Sequence, residues 1–282
     1  MSTKVFEGQT VVVTGGGTGI GRATALSFAE QGAQTVIITG RRGRRLDEVA
    51  ELNPAIVPVV ADLVTDEGAE AVGAAVRERS GVLDVLVHNA GIYRQTPIDA
   101  IDVTLARELL ETNVLGTALL TTRLLPLIKT PGGSIVLVSS VAGHKPEPYA
   151  SVYAASKAGV HSLTLTWAKE LAGRGIRVNA VAPSAVRTEV YAANGLTEEQ
   201  TDAIFNHYAA CMPLGRTGTV DDVAPWITRL AEPASSWVTG QIIVLDGGSD
   251  LTSAADTPYS PYKWTDADSD ESADELEKAP AW

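Results

Sequence analysis

Seven short runs of apolar, often β-branched residues punctuate the first 245 positions: Thr10–Thr14, Thr35–Thr39, Ile56–Val60, Val85–His88, Ser134–Ser139, Ile176–Val181 and Gln241–Leu245. None alternates with polar residues, so each predicts a strand buried on both faces. Longer segments between them carry a helical pattern. Gly19–Gln31 is one; Ala100–Ile128 is another, with Leu105, Leu109, Leu110, Val114 and Leu115 at three- and four-residue steps. Ser151–Ala172 predicts a third helix. Strand alternating with helix predicts an α/β fold: a parallel sheet with right-handed crossovers and helices on both faces. No linker divides the region. The reading is one doubly wound domain over residues 1–250 and an extension over 251–282.

Composition narrows the class. Of 282 residues 45% are hydrophobic and 20% charged, enough for a sizeable core. The balance of 22 Lys and Arg against 34 Asp and Glu gives −12, which argues against nucleic acid as a partner. Half of that excess sits in Trp264–Trp282, where seven acids face one base, Lys278. The lone Cys211 cannot form an internal disulfide, and neither CxxC nor HExxH occurs, so no metal site is expected. MSTKVFEGQT lacks the apolar stretch of a signal peptide, and the apolar runs fall well short of the roughly 18 residues of a membrane span. The expectation is a cytoplasmic protein without a membrane partner.

The first strand runs into Thr14-Gly15-Gly16-Gly17-Thr18-Gly19-Ile20-Gly21 and then a helix. Glycines there allow a tight turn and close backbone approach to a pyrophosphate, whose charge is drawn to free N–H groups at the helix start. The string fits TGxxxGxG rather than GxGxxG. A P-loop is excluded, because Arg22 and Ala23 stand where Lys and Ser/Thr are needed. The competing reading is a tight turn with no ligand.

Tyr153 and Lys157 lie four apart and project from one helix face. A tyrosine of pKa near ~10 is a poor proton carrier at neutral pH; a nearby cation brings it towards working range. Ser140 puts a hydroxyl at the carboxyl end of the fifth strand, the edge where such folds bind ligands. A solvated helix pair is the bland alternative for Tyr153 and Lys157 alone; the combination with the glycine loop points to catalysis.

In this order the pieces resemble the short-chain dehydrogenase/reductase family, in its branch of about 250 residues per subunit. They are TGGGTGIG at 14–21, Asp62, Asn89-Ala90-Gly91, Asn113, Ser139-Ser140, Tyr-Ala-Ala-Ser-Lys at 153–157, RVNAVAP at 177–183, Thr188 and Asp246-Gly247-Gly248. The resemblance implies a Rossmann-like, seven-stranded parallel sheet of order 3-2-1-4-5-6-7 and a homotetramer or homodimer. It implies Tyr153 as general acid/base, Lys157 as its modulator and ribose anchor, and Ser140, rather than Ser139, as the carbonyl's hydrogen-bond partner. Asn113 would steady a proton-relaying water. The cofactor would meet Gly15, Thr18, Gly19, Ile20 and Gly21, then Asp62 and Leu63 at the adenine. Asn89, Ala90 and Gly91 would lie at its ribose, with Pro183, Ser184, Val186 and Thr188 at the nicotinamide. Two residues depart from the family: His88 in place of Asn, and Ser184 in place of a glycine.

NAD-binding relatives carry an acid at the end of the second strand to accept from the ribose hydroxyls. Gly40 stands there, followed by Arg41-Arg42-Gly43-Arg44-Arg45. A guanidinium binds a 2′-phosphate that a carboxylate would repel, so NADP(H) is preferred over the alternative NAD(H), with Arg41 first and Arg42 second. Arg44 and Arg45 read as a solvated loop. The substrate, a small carbonyl or alcohol, is expected under residues 186–217 and the loop after Ser140, with His144, Tyr149, Tyr191, His207 and Tyr208 as candidates. Two competing readings stand beside the oxidoreductase: a relative turned to dehydration or epimerisation, and a non-catalytic dinucleotide sensor. In the tail, Thr257–Trp264 is expected to dock on the body or a partner subunit.

Overall fold

The computed structural model describes residues 4–190 and 194–251. The expected docking segment Thr257–Trp264 and the candidate Tyr191 therefore lie outside the described residues. Seven strands form one parallel sheet in the order β3-β2-β1-β4-β5-β6-β7. They are β1 (Thr10–Thr14), β2 (Thr35–Gly40), β3 (Ile56–Val60), β4 (Val85–His88), β5 (Ser134–Val138), β6 (Arg177–Pro183) and β7 (Ile242–Leu245). The helices are α1 (Gly19–Glu30), α2 (Gly43–Ala50), α3 (Asp66–Arg79), α4 (Val103–Leu110), α5 (Gly116–Leu124), α6 (Ser151–Leu171), α7 (Glu198–Cys211) and α8 (Val220–Ala231). This is the doubly wound architecture that the alternation of patterns predicts, with the Rossmann-like strand order that the family resemblance implies.

Strand pleating sorts the core into two layers. Val11, Val13, Val36 and Ile38 point to one face, where Phe28, Val223 and Ile227 close over them. Val12, Ile37, Leu86 and Leu137 point to the other, under Val72, Leu120, Leu124 and Val160. Residues alternate between faces because successive side chains of a strand do. Helix starts are fixed by side chains that satisfy otherwise orphaned N–H groups: Asp102 accepts from Thr104 at 2.7 Å, and Thr197 with Gln200 forms a reciprocal capping box.

The expectation of burial on both faces holds for β1, β2, β4, β5 and β6 and fails at the edges. β3 alternates, leaving Val60 61% exposed, and every residue of β7 is at least partly exposed. A β-branched run reads alike at the centre and at the rim. The long helix over Ala100–Ile128 also differs. It starts after Asp102 and is interrupted by a π-turn at Glu111–Leu115. The buried stripe consequently runs through Leu109, Asn113, Gly116, Thr117, Leu120 and Leu124, while Leu110 and Leu115 face outward.

Candidate active site at the carboxyl edge of the sheet

All strands being parallel, their carboxyl ends share one edge, and the strand order reverses between β1 and β4, the place where such sheets open a ligand crevice. The glycine loop leaves β1 there. Gly15 and Gly19 take left-handed φ angles of 64° and 53°, which favour glycine. Gly21 is fixed by space: a Cβ would lie 2.3 Å from the Gly15 carbonyl oxygen and 2.4 Å from Asn89 Nδ2. The loop is braced from β4. Thr14 Oγ1 accepts from the N–H groups of Asn89 and Ala90, both at 2.9 Å, and Asn89 Nδ2 donates to the carbonyls of Thr14 and Gly15. Thr18 opens α1 without a side-chain cap, so the donors of the first turn are left for another partner.

At the end of β2, Arg42 pairs with Glu189 at 3.4 Å, and Arg45 pairs with both Glu48 at 3.2 Å and Glu189 at 3.5 Å. Arg44 pairs with Glu48. Arg41 is exposed and, among the described residues, the one of these four arginines without an ion pair. Glu189 thus ties the segment after β6 to the start of α2 across the mouth of the glycine loop. Thr188 beside it touches the same loop, with Cγ2 3.2 Å from where a Cβ on Gly19 would stand. Asp62 opens the turn after β3 and accepts from the Val64 N–H; Leu63 packs on the core.

Tyr153 and Lys157 project from α6 towards the end of β5. The Tyr153 hydroxyl is hydrogen-bonded to Ser140, and burial pushes its pKa up to about 12 against the downward pull of that bond. Ser139 faces the opposite way, donating to the Lys157 carbonyl at 3.2 Å. Lys157 is buried, which brings its amine down to about 8, and Nζ donates to the Val138 carbonyl at 3.1 Å. It lies 5.8 Å over the centre of the Tyr153 ring rather than at the hydroxyl. Asn113 sits in the π-turn. Its side chain accepts from the Ile92 N–H at 2.8 Å and donates to the Ile92 carbonyl and to Ser156 Oγ. A Cβ on Gly91 would fall 3.2 Å from Asn113 Oδ1 and 3.5 Å from Lys157 Nζ, so all three meet at one point.

On the substrate side the structure brings together two of the five candidates. Tyr149, which holds a left-handed φ of 62° and accepts at its carbonyl from Thr96, lies in the loop that carries Glu147, and Tyr208 of α7 hydrogen-bonds Glu147. His144 instead pairs with Asp250 of the C-terminal turn and stacks on His161 at 5.7 Å. His207 has Nε2 3.9 Å from Cys211 Sγ, one turn further along α7.

Residues 15–250 match the Enoyl-(Acyl carrier protein) reductase family model. The 3-oxoacyl-(acyl-carrier-protein) reductase FabG of Thermotoga maritima is 41% identical over 252 residues, 86% of this chain and 98% of that protein. A short-chain dehydrogenase/reductase of unknown function from Caenorhabditis elegans, solved with cofactor, superposes with a TM-score of 0.83 at 32% identity, covering 90% of this chain and all of that one. The chain belongs to the short-chain dehydrogenase/reductase family. Among other relatives of this family are the galactitol 2-dehydrogenase (L-tagatose-forming) of Cereibacter sphaeroides, 36% identical over 86% of this chain and 95% of that enzyme, and the glucose 1-dehydrogenase of Gluconobacter oxydans, 37% identical over 87% and 93%.

Short-chain dehydrogenases/reductases are oxidoreductases that bind nicotinamide dinucleotides, and the loop geometry fits such a group. Its uncapped helix start offers N–H donors to a pyrophosphate, the glycines keep side chains out of the way, and the Arg41 guanidinium is available to a further phosphate. The two family departures are accommodated. Ser184 needs no left-handed backbone and its N–H donates to the Leu245 carbonyl at 3.0 Å, continuing the β6–β7 ladder. His88 is buried with Nε2 2.7 Å from Thr121 Oγ1. Because Thr121 spends its own proton on the Thr117 carbonyl, His88 is the donor in that pair. Sequence reasoning missed Thr14, Glu147, Glu189 and Tyr93, whose ring meets Tyr153 edge-on at 4.9 Å. Only Thr14, at the head of the glycine string, carried a local signal.

Proposed function

We propose that this chain is an NADP(H)-dependent oxidoreductase that interconverts a carbonyl and a secondary alcohol. The observation that carries the reading is a half-buried Tyr153 whose hydroxyl is hydrogen-bonded to Ser140, one helical turn from buried Lys157. When bound, the nicotinamide would supply or accept the hydride. Tyr153 gives its proton to the carbonyl oxygen in reduction and takes it back in oxidation. A phenol held near 12 is protonated throughout the neutral range, so the donor is loaded. Ser140 hydrogen-bonds the same oxygen and shares the charge left on Tyr153. The Lys157 cation favours that phenolate, and loses its charge as pH climbs through about 8. Asn113 fixes Ile92 and Ser156 behind them, at the point where a relaying water would sit.

Main-chain donors at Gly15, Thr18, Gly19, Ile20 and Gly21 would hold the pyrophosphate, and Arg41 the 2′-phosphate, with Arg42 second. Asp62 and Leu63 would meet the adenine; Asn89, Ala90 and Gly91 the ribose; Pro183, Ser184, Val186 and Thr188 the carboxamide. Support for NADP(H) is the absence of a carboxylate at Gly40 beside Arg41, which is exposed and makes no ion pair among the described residues. We propose a homodimer or homotetramer as well, because Val103, Leu110, Leu115, Leu119 and Leu165 leave an apolar face exposed on α4, α5 and α6.

Tyr153→Phe tests the reading. It removes the proton and keeps the ring, so NADPH binding by fluorescence titration should survive while ketone turnover falls at least ~10²-fold. Near-normal turnover in that variant would remove Tyr153 from the mechanism. In the unaltered chain the reduction rate should hold through neutral pH and decline above about 8 as Lys157 neutralises.

A further inference from the structure

The loop between Ser140 and α6 delivers a carboxyl group, Glu147, to the side of Tyr153. It is close enough to oppose the ionisation of Tyr153, and its own pKa is raised by burial. Tyr208 of α7 hydrogen-bonds it, so the two walls expected around a substrate meet at this side chain. One such bond leaves a group with about four lone-pair directions able to take more.

Glu147 also lines a cavity of about 440 Å³, together with Thr96, Ile98, Asp99, Pro148, Tyr149 and Ser151. The hydroxyls there are already engaged: Ser151 Oγ donates to the Thr96 carbonyl at 2.8 Å, and Thr96 Oγ1 accepts from the Val152 N–H at 3.0 Å. Among the described residues no lysine, arginine or histidine lines the cavity. Lys145, the cation nearest in sequence, is turned to the C-terminal segment, donating to the Ser249 carbonyl at 2.6 Å. With Asp99 the cavity lining carries two carboxyls, a setting that accepts hydrogen bonds from substrate hydroxyls and disfavours an anionic substrate; Glu147 is the one carried by the loop between Ser140 and Tyr153.

We infer that Glu147 is the specificity-determining residue for a substrate hydroxyl, and that this chain takes neutral hydroxylated carbonyl compounds or polyols in preference to carboxylated or phosphorylated ones. The inference rests on Tyr153 as the proton donor, which puts the reacting carbonyl next to Glu147. It separates the chemistry of the galactitol and glucose dehydrogenases among the relatives from that of the acyl-carrier-protein reductases, in favour of the former.

Three ketones of similar size test it with NADPH: 4-hydroxy-2-butanone, 2-pentanone, in which a methyl group replaces the hydroxyl, and levulinate, which carries a carboxylate. The unaltered chain should favour the hydroxyketone over 2-pentanone by about ten- to a hundredfold in kcat/KM, with levulinate last. Glu147→Ala should bring the hydroxyl-to-methyl ratio down to within about threefold of one, chiefly through KM, and Glu147→Gln should raise levulinate relative to the other two. A ratio that survives Glu147→Ala, or an unaltered chain that prefers 2-pentanone or levulinate, overturns the inference. Calorimetry on the Tyr153→Phe chain with NADPH reads the same ranking as dissociation constants, without turnover. Ranked binding with no turnover in the unaltered chain would strike the oxidoreductase reading and leave the hydroxyl site standing. Turnover without ranking would do the reverse.

Discussion

The two sides of the cleft are built on different principles. On the glycine-loop side, geometry is set by groups with no freedom: a carbonyl 2.3 Å from the missing Cβ of Gly21, and the N–H groups of Asn89 and Ala90 on Thr14 Oγ1. On the substrate side it is set by long side chains at the surface, with Glu189 reaching to Arg42 and Arg45, Arg187 to Asp202 and His144 to Asp250. Backbone contacts in a packed interior cannot adjust without shifting a strand, whereas exposed ion pairs are each worth about 0–1 kcal/mol. The first side suits a ligand shared by a whole family, and the second suits specificity that changes at little cost to the fold.

The largest expected effect comes from the rigid side. His88 is buried and its pKa is pushed down to about 3 from the usual 6.5 by burial. Its unfolded-state imidazole takes up a proton that the folded one refuses, so the contribution is intact above pH 6.5 and is lost as pH falls towards 3. The slope should be roughly 1.4 kcal/mol per pH unit at most. Urea unfolding as a function of pH should show it, and His88→Asn should flatten the acid limb; an unchanged slope would mean that His88 charges inside the fold.

Next is Gly21→Ala. The added methyl meets a carbonyl and Asn89, not the end of a flexible chain, so it should cost about 1–3 kcal/mol of stability and at least tenfold in NADPH affinity. A melting temperature and a titration within error of the unaltered chain would show that the loop is softer than its contacts imply. Arg41→Ala should weaken NADPH by about ten- to a hundredfold and spare NADH, since only one carries the phosphate. Equal weakening of both cofactors would assign Arg41 to structure.

The smallest effect belongs to the surface side. Glu189→Gln frees Arg42 and Arg45 from a competing carboxylate, so NADPH affinity should rise by a few-fold at low salt and by less as salt screens the pairs. A fall in affinity would make Glu189 a support for the arginines rather than their competitor.

The same division governs what could be read from the chain. The parallel sheet and the glycine loop were legible, because apolar runs alternating with helices predict such a sheet and the TGxxxGxG string tolerates few other residues; the strand order followed from the family resemblance alone. The exposure of β3 and β7 was not, since Val57 and Val60 read like their central counterparts. Nor was the company that Tyr153 keeps. Tyr93, Glu147 and Tyr208 reach it or one another from separate segments, and no local pattern marks a contact made only by the folded chain.

The π-turn at Glu111–Leu115 makes chain length itself a determinant of the site. A regular helix advances by about 100° per residue. The wider turn absorbs one residue, so α4 and α5 keep separate angular phases, Leu109 before the turn and Leu120 and Leu124 after it all facing inward. Asn113 projects from the widened turn itself, and its carbonyl accepts from Thr117 Oγ1. Deleting one residue between 111 and 115 would restore an even helix, with Leu109, Leu120 and Leu124 still facing inward, and would remove the widened turn from which Asn113 projects. The core would keep its leucines while Asn113 lost its place beside Ile92 and Ser156, so a loss of three nucleotides there would strike the site and spare the fold.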